Sequence, residues 1–191
     1  MKLTGEQTIP ANRQRVWDAL NDPEILKQCI KGCEHIQKTS DTDFAARILA
    51  KVGPVKARFT GKVTLTNLKP PESYTISGQG EGGIAGFAKG KSDIRLSEVT
   101  PNETLMAYDV DAQVGGKLAM IGSRLIDATA RSMAQEFFDR FVRLTSMPAG
   151  AKPKRVAGRA GGNSNAKAKG SEKEAGKKAK KRWGLFRAKS S

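Results

Sequence analysis

The sequence predicts an α+β domain, with a curved antiparallel sheet of about seven strands, two short helices and one long C-terminal helix. Three observations support this fold class. Apolar and polar residues alternate over 55–66, apolar residues recur at helical spacing over 117–145, and two short helical segments follow the first strand. An alternating sheet has one dry face, and the long helix is the predicted element with the size to cover it.

The N-terminal segment is predicted to contain one strand and two short helices. The strand runs over 2–9. Asn12 is suited to cap the first helix, 12–20, because its side-chain oxygen can accept a hydrogen bond from a backbone N–H of the first turn. The second helix runs over 24–29, and Pro23 stands at its first position, where the fixed φ of proline is favourable.

The middle of the chain is predicted to form a meander of strands. Over 55–66 every odd position is apolar or glycine and every even position is Lys, Arg or Thr, so this strand has one dry face. Gly53 and Pro54 form the turn before it. The other strands are predicted over 34–39, 44–52, 73–79, 88–99 and 104–114. Their hairpin spacing favours antiparallel pairing.

The last predicted element is one continuous helix over 117–145. It follows Gly115 and Gly116, ends before Pro148, and repeats apolar residues at steps of three and four. The repeat comprises Leu118, Ile121, Leu125, Met133, Phe137, Phe141 and Leu144. One face of this helix should therefore be apolar along its whole length.

The predicted dry face is rich in small residues, which indicates a hollow between the sheet and the helix. These residues are Ala46, Ala50, Ala57, Gly61, Gly78, Ala88, Gly90 and Ala112 on the strands, and Gly122, Ala128 and Ala130 on the helix. A void in a protein interior is costly unless a ligand fills it. The alternative is that the glycines only permit the sheet to curve. From strand parity and helical spacing, we expect an apolar ligand to contact Ile48, Phe59, Val63, Ile76, Ala88, Met106, Tyr108, Leu118, Ile121 and Leu125.

Composition divides the chain into three parts: a domain over 1–147, a linker over 148–176 that we predict to be disordered, and a tail over 177–191. Residues 148–191 carry 14 of the 34 Lys and Arg residues but only two of the 19 acidic residues. They therefore hold +12 of the net charge of +15. The domain itself is nearly neutral.

The tail combines a basic cluster with an apolar end. We predict that it contacts an anionic membrane surface through Lys177, Lys178, Lys180, Lys181, Arg182, Trp183, Leu185 and Phe186. Basic side chains are attracted to anionic lipid, and Trp, Leu and Phe suit the headgroup boundary. A simple solvated charge run remains an alternative, as does nonspecific binding of nucleic acid phosphate.

The chain offers little for metal, redox or catalytic chemistry. Cys29 and Cys33 are spaced C-x3-C, one residue longer than the redox motif, and His35 is the only histidine. Asp109 and Asp111 fall on the wet face by strand parity. We therefore predict no metal site and no catalytic residues. The N-terminal residues lack a secretory h-region, so we expect a cytoplasmic protein.

Several segments resemble the family of the G subunit of carbon monoxide dehydrogenase over about residues 1–145. They are the runs 29–34, 51–61, 115–119, 122–126 and 137–141, which are specific in combination and in order. The family is part of the START/Bet v 1-like helix-grip superfamily (SRPBCC), in which a long C-terminal helix grips a curved sheet around an apolar cavity. The resemblance implies an accessory protein of a molybdenum hydroxylase-type carbon monoxide dehydrogenase, linked to membrane recruitment of that enzyme.

Three functions follow from these observations. The first is a binding protein that holds an apolar molecule, preferably a respiratory quinone (menaquinone or ubiquinone) and otherwise a lipid, at the inner face of the cytoplasmic membrane. No covalently bound cofactor is expected. The second is a ligand-free factor that docks the dehydrogenase for membrane recruitment or maturation. The third is an enzyme, since helix-grip relatives include cyclases and hydrolases, but no acid, base or nucleophile is placed for catalysis.

Overall fold

The computed structural model describes residues 1–146. The linker and tail predicted over 148–191 lie outside the described residues. The helices and strands are β1 (Lys2–Ile9), α1 (Arg13–Leu20), α2 (Pro23–Cys29), β2 (Cys33–Lys38), β3 (Asp43–Val52), β4 (Val55–Lys69), β5 (Ser73–Glu81), β6 (Phe87–Thr100), β7 (Glu103–Gly115) and α3 (Ser123–Ser146). Two short 3-10 turns, Gly83–Ala85 and Gly116–Ile121, lie in the connections after β5 and β7.

The seven strands form one antiparallel sheet in the order β1-β7-β6-β5-β4-β3-β2. Strands β2 to β7 follow one another as a meander, and β1 closes the far edge beside β7. This confirms the predicted fold class. The alternation of polar and apolar residues gives the sheet one face toward α3 and one toward solvent.

The two short helices begin where side-chain caps predict. The backbone N–H of Arg15 donates to Asn12 Oδ1 over 2.8 Å at the start of α1. At the start of α2, the backbone N–H of Glu24 donates to Asp22 Oδ1 over 2.8 Å, and Pro23 occupies the first helical turn. Both caps satisfy an N–H that the helix itself leaves without a partner.

The prediction of one helix over 117–145 is wrong at its N-terminal end. Gly116–Ile121 forms a 3-10 turn, and α3 begins only at Ser123. Gly122 separates the two with φ of +94°, a conformation that residues other than glycine rarely adopt. The sequence pattern did not show the break because Leu118, Ile121 and Leu125 keep the helical spacing of three and four across it.

The C-terminal half of α3 packs on the sheet through an aromatic cluster. Phe141 is fully buried, and its ring stacks with that of Phe137 at 5.7 Å between centroids. Phe138 stacks on Tyr108 of β7 at 5.3 Å. These residues belong to one core with Val16 and Trp17 of α1. This part of the core therefore joins α3 to the sheet and to α1.

One buried hydrogen bond ties the start of β7 to the segment before α1. The Thr104 hydroxyl is fully buried and donates to the Ala11 carbonyl oxygen over 2.8 Å. Replacing this side chain with valine keeps its shape but leaves a buried carbonyl without this partner, which costs about 1–3 kcal/mol.

We expect Thr104→Val to lower the free energy of unfolding by about 1–3 kcal/mol in urea titrations. The matched control Thr104→Ser keeps the hydroxyl and loses one methyl group, so it should cost only about 1 kcal/mol. Equal losses in the two variants would show that the hydrogen bond does not contribute.

Candidate functional site

An apolar cavity of about 350 Å³ lies between the sheet and the C-terminal half of α3. We call it the inner chamber. Its wall combines strand residues with Ala134, Phe137 and Phe138 of α3. The wall residues are Leu3, Leu20, Leu26, Ile30, Ile36, Phe44, Ala46, Ile48, Val63, Leu65, Tyr74, Ile76, Ser92, Ile94, Met106, Tyr108, Val110, Ala134, Phe137 and Phe138. No charged side chain is among these described wall residues.

Three hydroxyl groups are the polar side-chain groups of the inner chamber. They belong to Tyr74, Ser92 and Tyr108. None of the three forms a hydrogen bond with another residue of the described domain. Burial raises the pKa of Tyr74, so that hydroxyl keeps its proton at neutral pH. An apolar ligand with one or two hydrogen-bond acceptors would match this wall.

A second hollow of about 330 Å³, the outer chamber, continues from the first toward the start of β4, the end of β5 and the start of β6. The two chambers share the wall residues Ala46, Ile48, Val63, Ile76, Ser92 and Val110. Small residues face each other across the strands here, with Ala46 opposite Gly61, Gly61 opposite Gly80, and Gly80 opposite Ala88. None of the residues lining the outer chamber comes from α3.

The glycines of the outer chamber permit close packing of the strands and also leave the hollow unfilled. A Cβ added at Gly61 would lie 2.7 Å from the Gln79 carbonyl oxygen, and one at Gly90 would lie 2.8 Å from that of Asp111. The backbone at these positions therefore leaves no room for a side chain. Close strand packing and an open dry face both follow from the same residues. Curvature of the sheet and a hollow are therefore compatible explanations of the small residues.

The structure brings seven of the ten predicted ligand-contact residues to the chamber walls. Ile48, Val63 and Ile76 line both chambers, Phe59 and Ala88 line the outer one, and Met106 and Tyr108 line the inner one. Ligand contact by these residues stays a prediction.

The other three predicted residues do not line either chamber, because the chain departs from the helix at Gly122. Leu118 is the buried residue of the 3-10 turn. Leu125 packs at the β3–β4 turn, where a Cβ on Gly53 would lie 2.6 Å from its Cδ2. Ile121 lies beside the same turn, because a Cβ on Gly53 would lie 3.6 Å from its Cγ2.

Ser92 and Asp127 are polar residues that the sequence did not single out, and Ser92 lines both chambers. Strand parity could have indicated Ser92, since it alternates with Gly90 and Ile94 on the dry face of β6. Asp127 falls on the same stripe of α3 as Ala134 and Phe138 by helical spacing. Its Oδ1 is buried and has no hydrogen-bond partner among residues 1–146.

The two cysteines are poor nucleophiles in this fold. Burial raises the pKa of Cys29 to about 11, which the nearby Arg140 only partly offsets. Burial also raises the pKa of Cys33, whose thiol donates to the His35 carbonyl oxygen at 3.6 Å. A protonated thiol neither attacks nor binds metal well. Among the described residues, no three His, Cys, Asp or Glu side chains are grouped as a metal site requires.

A seven-stranded sheet closed by one long helix around an apolar cavity defines a START-like domain. Solved structures share this fold. A START superfamily protein from Mycobacterium smegmatis has a TM-score of 0.54 at 14% identity, covering 75% of this chain and 98% of its own. The Zhui aromatase/cyclase from Streptomyces sp. R1128 has a TM-score of 0.57 at 12% identity, covering 80% and 99%.

The sequence profile of CoxG, the G subunit of carbon monoxide dehydrogenase, matches residues 5–144, and the chain belongs to this family. A conserved protein from Geobacillus kaustophilus is similar at 29% identity with a TM-score of 0.72, covering 76% of this chain and 95% of that one. No curated protein matches the chain. Within residues 1–146, no helix has the length and apolar character needed to span a bilayer.

We expect Ala88→Trp to fill the outer chamber and reduce the binding of an apolar fluorescent probe by about tenfold or more, because the indole takes the volume that the probe needs. The matched control is Ser97→Trp, which places the same side chain at an exposed position of the same strand. Circular dichroism should show that both variants are folded. Unchanged probe binding by folded Ala88→Trp would contradict a role for the outer chamber.

Proposed function

We propose that this protein binds an apolar molecule, preferably a respiratory quinone, between its sheet and α3, and serves as a membrane-associated accessory protein of a molybdenum carbon monoxide dehydrogenase-type enzyme. One observation carries the proposal: a cavity of about 350 Å³ whose wall holds no charged side chain among the described residues. Cavities of roughly 300–1,000 Å³ with apolar walls and few polar groups are typical of small-molecule sites.

The energetic cost of an empty cavity supports a ligand. Atoms that line an empty interior cavity lack packing partners, and this loss destabilises a domain. An apolar ligand in the inner chamber would restore those contacts, so its binding is favoured.

The hydroxyls of Ser92 and Tyr108 favour a quinone over a purely hydrocarbon ligand. A quinone carries two carbonyl acceptors on an apolar ring and a hydrocarbon chain, and each hydroxyl can donate one hydrogen bond. Ser92 lies where the two chambers meet, so a ring bound near it would leave its chain room in either chamber. A buried donor that gains a partner contributes about 0.5–1.5 kcal/mol.

The family assignment supports the proposed partner. Electrons that leave a water-soluble dehydrogenase must reach a quinone that is nearly insoluble in water. A carrier that takes quinone from the inner face of the cytoplasmic membrane would connect the two. In this proposal the protein performs no catalysis itself and holds its ligand noncovalently.

We expect organic extraction of the purified protein, followed by mass spectrometry, to yield a quinone. The double variant Ser92→Ala/Tyr108→Phe should retain less quinone, by about tenfold, because it removes two hydrogen bonds. It should keep its affinity for an apolar probe without hydrogen-bonding groups, which provides the internal control. Recovery of phospholipid or fatty acid alone would reject the quinone, and a parent protein without any extractable ligand would favour the ligand-free docking function.

The proposed membrane contact of the tail has a separate test. Changing Trp183, Leu185 and Phe186 to Ala should weaken binding to anionic vesicles and make it more sensitive to salt, because the charge attraction that the tail keeps is screened near 1 M salt, where the Debye length is about 3 Å. The parent should keep part of its binding there, since apolar insertion is not screened. Parent-level binding by the triple variant at physiological salt would reject the apolar residues as an anchor.

A further inference from the structure

Three connections of the fold meet at one end of the sheet. Because the strands form a meander, the turn between β3 and β4, the loop between β5 and β6, and the segment between β7 and α3 all lie at the same end. Residues 52–55, 82–87 and 116–125 comprise these connections together with the strand and helix ends beside them, and we call them the tip. The loops contact one another, since a Cβ on Gly116 would lie 2.6 Å from Gly86 Cα.

The tip exposes most of the large apolar side chains that the described domain leaves in water. Ile84 is 83% exposed and Met120 is 84% exposed, while Phe87 and Leu125 are 42% and 41% exposed. The other two exposed large apolar residues of the described domain, Leu68 and Val99, lie by the turns at the opposite end of the sheet. Clustered exposed apolar residues mark an interaction surface, whereas scattered ones do not.

Charge at the tip has one sign. The three tip segments contain Lys117 and Arg124 and no acidic residue. Exposed lysines flank them, with Lys51 and Lys56 on either side of the β3–β4 turn and Lys89 just beyond the next loop. Glu81 precedes the second segment and is the acidic residue at its border.

The tip lies directly above the outer chamber. Gly80 and Ala88 of the chamber wall are two residues and one residue away from the second tip segment along the chain. The Phe59 ring, also in that wall, lies 2.5 Å from where a Cβ on Gly82 would stand. The apolar surface of the cavity thus continues to the exposed apolar residues of the tip.

We propose that the tip of the folded domain inserts into an anionic bilayer, with Ile84 and Met120 in the headgroup boundary and the flanking lysines on lipid phosphates. Protruding apolar side chains inside a basic rim match an anionic lipid surface in both polarity and charge. The outer chamber then opens toward hydrocarbon, so an apolar ligand enters without crossing water. Ligand entry by this route rests on the proposed function, whereas the insertion itself is tested without a ligand.

Tryptophan quenching tests the insertion in the full-length chain. Ile84→Trp and Val99→Trp are each made in a Trp183→Phe background, where the remaining native Trp17 is buried. Vesicles contain equal parts of phosphatidylglycerol and phosphatidylcholine, with bromine on the acyl chains. We expect strong quenching at position 84 and none at position 99. Equal quenching at the two positions, or none at 84, would overturn the proposal.

Partition measurements provide the second test. Ile84→Ser/Met120→Ser should weaken vesicle binding by at least about tenfold, because it removes two apolar groups from the interface. The matched control Leu68→Ser/Val99→Ser should bind as the parent does. Parent-level binding by the tip variant would overturn the insertion. If the tail variant loses binding and the tip variant does not, the tail is the sole anchor and insertion of the tip is likewise rejected.

Discussion

The contact between the aromatic residues of α3 and the sheet determines where this protein is dense and where it is hollow. Phe138 stacks on Tyr108, and Phe141 is buried beside it, so α3 is held at its C-terminal half. The dry face extends beyond that contact over β4, β5 and β6, where Gly61, Gly80 and Ala88 offer no side chains of comparable size. The outer chamber results because this end of the sheet is lined with small residues. The inner chamber lies beside the aromatic contact itself, with Phe137, Phe138 and Tyr108 in its wall.

The polar groups are divided between the outer surface and the cavity. Charged side chains that pair do so on the outer surface, as where Glu34 accepts hydrogen bonds from Arg58 and Arg47. These bonds lower the pKa of the Glu34 carboxyl, and the bond from Arg58 has the largest effect. Because the carboxyl is exposed to water, their contribution to stability is limited. The wall of the inner chamber presents only hydroxyls as polar side-chain groups, and a hydroxyl can donate a hydrogen bond without the desolvation penalty of a charge.

Much of the fold and part of the site were predictable from local patterns. Alternation gave the strands and the identity of the dry face, since the period of two is a property of the backbone. Seven predicted contact residues lie in the chamber walls for this reason. Leu118, Ile121 and Leu125 do not, because helical spacing continues across Gly122 although the backbone there does not remain helical. Strand parity places Ser92 on the dry face, but the sequence does not show that the dry face is hollow beside it, and the burial of Asp127 depends on how α3 packs in the folded domain.

The sequence by itself determined most of the secondary structure, the neutral domain with its basic C-terminal region, and the family, because propensity, periodicity and charge are properties of neighbouring residues. The tertiary structure decided how much of the dry face α3 covers, how two chambers join at Ser92, and which loops share one end of the sheet. These features depend on residues distant in the chain. Ile84 and Met120 are ordinary apolar residues in the sequence, and only the antiparallel arrangement of the strands gathers the loops that carry them around one opening.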